Sequence, residues 1–235
     1  MSKDDVLLVA GNLVSVSTDV SEIWRKEVVN SILFSQLYAS SKLDKFASSQ
    51  QWCKHYAEAM EKLKWKSGVW RFANIELNEG VSIVLNSLIK NRFGLLVKPL
   101  QLEQFERLMY SVQQDCATEA IASSTGEHAM VRQNEGEAST VSTVALHVSL
   151  VGRGPAIYSA FIYFDTSQEV ESDFFTQEFK SELIKGEVGI AVSCLVLDKA
   201  GYEKARIREK VLSSLPEVTT GLVLDINAEC DVHER

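Results

Sequence analysis

Residues 142–165 read STVALHVSLVGRGPAIYSAFIYFD, two apolar arms of roughly 143–151 and 156–164 on either side of Gly-Arg-Gly-Pro. The connection is short enough for an antiparallel hairpin. On the first arm Val144, Leu146, Val148 and Leu150 share one face, and Ala145, His147, Ser149 and Val151 share the other. On the second arm Ile157, Ser159, Phe161 and Tyr163 oppose Tyr158, Ala160, Ile162 and Phe164. Successive strand side chains point to opposite faces, so both faces of this hairpin carry bulk. A hairpin with one solvated face would alternate more cleanly.

Three explanations account for the second apolar face. Helices from elsewhere in the chain can cover it. It can be a subunit contact, because large apolar patches mark association sites. Or the hairpin is built for a membrane, since arms of about nine residues reach the length of a tilted spanning strand. The polar face that a pore lumen requires is only partly present, in Ser142, His147 and Ser149.

Upstream, the apolar run within 6–16 follows two aspartates and is too short and polar for a signal or a spanning helix; it predicts a first strand. From the Thr18-Asp19 cap, Ile23, Trp24, Val28, Ile32, Leu33 and Leu37 recur at threes and fours, predicting a helix to about Tyr38. A second helix, capped by Ser48 or Ser49, carries Trp52, Tyr56, Ala59 or Met60, and Leu63, and stops by Gly68. A strand over 69–77 follows, then a helix marked by Val81, Val84, Leu85 and Leu88, and another after Pro99 marked by Leu102, Phe105, Met109, Val112 and Cys116.

The stretch 122–140 loses periodicity and fills with Ser, Gly, Glu and Asn, as exposed connections do. Beyond the hairpin, strands are predicted over 174–184 and 188–197, a helix over 199–215 capped by Asp198, and a last strand over 221–226. The chain thus reads as an α+β protein: a mainly helical region over 1–121, an exposed connection over 122–140, and over 141–235 a mostly antiparallel sheet with one helix. The two parts can form a single domain.

At 46% hydrophobic and 24% charged with only 3 Pro, the composition is that of a folded globular chain. With 24 Lys+Arg against 32 Asp+Glu the net charge is −8, which excludes a general affinity for nucleic acid. The densest basic cluster, Lys54, Lys62, Lys64, Lys66 and Arg71, is interleaved with Trp52, Trp65 and Trp70 and reads as a solvated helix face. The four cysteines, Cys53, Cys116, Cys194 and Cys230, have no repeated spacing, so reduced thiols and a cytoplasmic chain are expected, with non-classical release compatible.

A search for chemistry is mostly negative. Cys53 and His55 lie about 200° apart around a helix and cannot readily share one ion, and Cys230-Asp-Val-His233 lacks a second ligand pair. The Gly152–Pro155 turn opens no helix and fits no phosphate-binding motif. His128 and His147 have no local catalytic context, and the carboxylate pairs Glu135/Glu137 and Glu171/Asp173 fall in predicted loops and edges. No cofactor or metal is therefore expected, and catalysis is not the first expectation.

All four tryptophans lie in the first third of the chain; Trp24 and Trp52 sit on inward stripes, while Trp65 and Trp70 flank an element boundary where indoles often serve contacts. The function expected is that of a non-catalytic, soluble, self-associating structural or interaction protein, a homo-oligomer. The candidate interface residues are Trp65, Trp70, Ile157, Tyr158, Phe161, Ile162 and Tyr163. The alternatives are a pore-forming or membrane-acting protein that uses the 143–164 hairpin, and a small enzyme whose site assembles only in space.

Overall fold

The computed structural model describes residues 3–114, 117, 121, 128–133 and 140–228. Its chain starts with β1 (Asp5–Val9) and β2 (Asn12–Val16), joined by the two-residue turn Ala10-Gly11 in which both residues have positive φ. That conformation matches the twist of a tight hairpin. Two helices follow, α1 (Glu22–Lys42) and α2 (Ser49–Lys62), and then the long strand β3 (Trp65–Ile75). Next come β4 (Ser82–Val84), α3 (Leu85–Gly94), α4 (Pro99–Val112) and β5 (Ala129–Gln133). The opening hairpin is β6 (Thr140–Gly152) with β7 (Ala156–Thr166). The remainder is β8 (Glu178–Lys180), a 3-10 turn (Ser181–Leu183), β9 (Ile184–Leu197), α5 (Lys199–Lys204), α6 (Ile207–Ser214) and β10 (Val223–Asp225).

The fold is mixed α+β in three layers. A central sheet runs in the order β10-β1-β2-β6-β7-β9-β3, with β5 also paired to β6; β4 and β8 form a separate two-stranded sheet. One face of the central sheet packs a cluster containing Leu146, Val148, Ile162 and Phe164 against Ile89 and Phe93 of α3, Phe105 and Leu108 of α4, and Phe174 and Phe179. The other face packs Ala145, Val151, Ile157 and Phe161 against Val28 and Ile32 of α1, Trp52 and Tyr56 of α2, Tyr202 of α5 and Val211 of α6. The second apolar face of the hairpin is thus covered by helices of the same chain, the first of the three explanations.

Several expectations are corrected. The N-terminal part, expected as mainly helical, also contributes β1, β2 and β3 to the same sheet as the hairpin, at both of its ends. The sheet is mixed, since β2 pairs parallel with β6 (Ser15↔Leu150). Polar side chains pin that seam: Asn12 donates to the Ser149 hydroxyl at 3.0 Å, Ser149 bonds Ser159 at 2.8 Å, and Gln104 of α4 donates to Ser15 and to the Val151 carbonyl. Buried polar groups of this kind cost free energy unless paired, so the register that pairs them is favoured.

Within 122–140 the described residues hold a strand, β5, paired antiparallel with β6 (Ala129↔Val144). The strand expected over 174–184 shrinks to β8. The expected 199–215 helix is broken by Arg206, in the left-handed region at φ 52°, into α5 and α6. The helix expected around Val81 begins only at Leu85, after β4. On α1 the buried stripe includes Glu27, Ser31, Ser35 and Gln36, whereas Ile23 is exposed. An apolar-only stripe could not show this, because two of these groups have distant partners: Glu27 accepts from Tyr202 at 2.6 Å and pairs with Arg208, and Gln36 bonds His147, while Ser31 donates to the Glu27 carbonyl of its own helix.

Candidate interaction surface at the open sheet edge

Among the described residues β3 is the terminal strand of the sheet and pairs only with β9, on one side, over a register interrupted by a bulge between Ser67 and Val69. α2 ends at Lys62, and Lys64, with φ 69°, turns the chain directly into β3. The strand therefore starts at Trp65, four residues before the expected Val69, and Gly68 lies inside it at the bulge. Side chains paired across two strands share a face, so the partners of Ile190 and Val192, Ala73 and Arg71, point toward the α3 layer. Trp65, Trp70 and Phe72 pack toward the α2 layer.

Two clefts flank this strand. The first, of about 670 Å³, lies against α2 and is floored by Trp65 and Leu195 beneath Lys54, Glu58, Glu61, Lys64 and Trp70. Lys66, at its rim, pairs with Asp198 at 2.8 Å, and that hydrogen bond leads the influences that hold the Asp198 carboxyl below its usual range. The second, of about 440 Å³, lies against α3, with Ile190, Val192 and Leu96 lining it beside Trp70 and Phe72. Among the described residues its only ionic lining groups are Arg71 and Arg92, and neither pairs with a carboxylate there. Trp70 is common to both clefts.

The remaining sequence candidates are scattered. Ile157, Phe161, Ile162 and Trp65 are buried in the cores of the two faces, and Tyr158, Tyr163 and Trp70 are half-buried. The Tyr163 ring occupies the space that a side chain at Gly189 of β9 would need. Trp65 and Trp70 are five apart, which on a regular strand would put them on opposite faces; the bulge between Ser67 and Val69 brings both to one face and one cleft. Arg92 has no local signal of this kind: α3 packs on β7, and its last turn brings Arg92 to the groove that Arg71 also lines.

The described histidines, His55, His128 and His147, lie apart from one another. His147 sits among the rings of Trp52, Tyr56 and Phe161 and bonds Gln36 at 3.0 Å. Burial, reinforced by the Lys45 ammonium, pushes its pKa down to about 3. His128 is shifted likewise, to about 3, and neither ring nitrogen has a partner among the described residues. Cys53 is buried and its thiol is pushed up to about 12, which makes it inert as a nucleophile. His55 lies on the exposed side of α2 and bonds Glu58 at 3.2 Å. Cys116, Cys230, His233, Glu135 and Glu137 lie outside the described residues. Among the described residues no three His, Cys, Asp or Glu side chains gather as a metal site, and no helix is long and apolar enough to cross a membrane.

No family model matches the sequence, and no curated protein matches it. Among solved structures, the activated Cyt2Ba monomer from Bacillus thuringiensis subsp. israelensis is similar at a TM-score of 0.41 and 9% identity, over 80% of this chain and 98% of that one. A delta-endotoxin gives 0.37 and 11%, over 79% and 80%. The Evf virulence factor gives 0.34 and 10%, over 90% and 84%. At these levels of likeness no functional residue is carried across.

Proposed function

We propose that the chain is a non-catalytic protein that works at the surface of a lipid bilayer and docks through the turn between α3 and α4. The observation that carries this reading is an apolar turn held out in solvent with cations around it. Leu95 is 73% exposed and Leu100 56% exposed, in the run Arg92-Phe-Gly-Leu-Leu-Val-Lys98-Pro-Leu100. Core-sized side chains left in water beside Arg and Lys fit an interface where the apolar tip enters the acyl boundary and the cations stay with the headgroups. Each leucine contributes about 1.5–3 kcal/mol when fully buried. Two of them give reversible docking rather than permanent insertion.

The test is flotation with phospholipid vesicles. The wild-type protein is expected to float, and Leu95→Asp with Leu100→Asp to reduce the bound fraction about tenfold or more while circular dichroism stays unchanged, because both sites are exposed. A wild-type protein that floats with no vesicle overturns the reading. Dye release distinguishes docking from insertion. At 13 and 11 residues β6 and β7 are long enough to span when tilted, but both their faces are covered, so leakage requires the helical layers to lift away.

The open edge of β3 favours a second reading, self-association by strand pairing. Unpaired backbone groups on an 11-residue edge are a template for another chain, although Lys66, Arg71 and the bulge blunt it. On this reading light scattering gives a native mass above the 26.2 kDa of one chain, and Trp70→Glu or dilution lowers it. A strictly monomeric particle at all micromolar concentrations removes it.

A further inference from the structure

We infer that the groove between β3 and α3 takes the phosphate of an anionic phospholipid, with Arg71 and Arg92 as its two cationic contacts. The inference rests on the bilayer-surface reading and names the lipid that the surface selects.

The chemistry follows from what lines the groove and from what does not. Arg71 comes from the edge strand and Arg92 from the last turn of α3, and among the described residues no Asp or Glu lines the space between them. Both guanidiniums lack a carboxylate partner among the described residues, in a chain where acidic groups outnumber basic ones by 32 to 24. In such a chain two unneutralised arginines lining one groove are a local reversal of sign. Guanidinium groups bind phosphate oxygens through forked hydrogen bonds, and do so most strongly where the surroundings are apolar.

The rest of the groove suits the portion of a lipid that follows the phosphate. Ile190, Val192 and Leu96 line it, Trp70 and Phe72 are beside it, and the exposed Leu95 is part of its lining. A free inorganic anion would use the two arginines and leave this apolar lining in water. A phospholipid uses both, with its headgroup between the arginines and its glycerol and upper acyl carbons against the apolar residues. Leu95 then enters the bilayer beside the lipid whose phosphate is held. The acidic remainder of the protein does not cancel the attraction, because charges more than about 8 Å away are largely screened at physiological ionic strength.

The experiment compares the intact protein on vesicles of phosphatidylcholine with and without phosphatidylglycerol, and with glycerol phosphate as a soluble competitor. Each basic contact near an anionic surface is worth about 1 kcal/mol. The wild-type protein is therefore expected to prefer the anionic vesicles by about tenfold or more, and the preference is expected to shrink with salt. Arg71→Gln with Arg92→Gln is expected to abolish the preference while leaving binding to phosphatidylcholine and the thermal midpoint unchanged.

Wild-type binding to both vesicles without preference overturns the inference and leaves the surface reading standing. Absence of binding to either overturns both. A preference that survives in the double variant places the anion elsewhere and overturns the inference. Tight calorimetric binding of glycerol phosphate without vesicles assigns the groove to a soluble phosphate compound instead, and overturns the lipid assignment.

Discussion

Phe161→Asp leaves no folded protein. Phe161 is 2% exposed on β7, with His147 of β6 opposite on one side and Ala191 of β9 on the other. Its ring stacks on Trp52 at 5.4 Å and meets His147 at 5.6 Å, so it joins the α2 layer to the sheet. Truncating a buried phenylalanine costs about 3–5 kcal/mol, and an unpaired carboxylate in that place adds several more. Together these match the whole stability of an ordinary domain, about 5–15 kcal/mol. Phe161→Leu keeps most of the volume and is expected to cost under about 2 kcal/mol, seen as a lowered thermal midpoint with intact circular dichroism. A folded Phe161→Asp protein with a wild-type midpoint and a smaller native mass would show that this residue faces another subunit.

Acid weakens the fold before the carboxylates are protonated. His128 and His147 have pKa values of about 3 in the folded chain against 6.5 for the free side chain, first because they are buried and second because of the Lys45 ammonium. The unfolded chain takes up these protons as pH falls through 6.5, and the folded chain does so only near 3. Stability is therefore fully present above about pH 6.5 and is lost progressively down to about pH 3. A tenfold difference in proton affinity between the folded and unfolded chain corresponds to about 1.4 kcal/mol, so each histidine is worth up to roughly 5 kcal/mol at the acid end. The carboxyls of Asp198 and Glu182 are held below their usual range and add an acid loss only at lower pH.

Urea midpoints measured from pH 7 to about pH 4.5 are expected to fall steeply in the wild-type protein. They should fall less in His128→Leu, which removes a ring whose nitrogens have no partner, and in His147→Gln, which keeps a neutral partner for Gln36. An unchanged pH slope in both variants would show that these side chains do not govern the acid response.

The apolar bulk on both arms of 142–165 was legible as a demand for two covers, since strand alternation depends only on residue order. So was the stripe of α2, where Trp52, Tyr56, Ala59 and Met60 are all buried. Periodicity, however, says which face of an element is buried and not what buries it. The parallel pairing of β2 with β6 brings together residues more than a hundred positions apart, and its register depends on Asn12, Ser149 and Gln104 finding one another. On α1 the buried Glu27 and Gln36 have partners, Tyr202, Arg208 and His147, that arrive from the second half of the chain. Arg71 belongs to the basic cluster legible in the sequence, whereas Arg92 carries no such signal, and the two lie on different elements, a strand and a helix. They line one groove only because β3 ends the sheet among the described residues and the last turn of α3 lies beside it, a juxtaposition set by the closing of both cores and not by any local preference of the residues themselves.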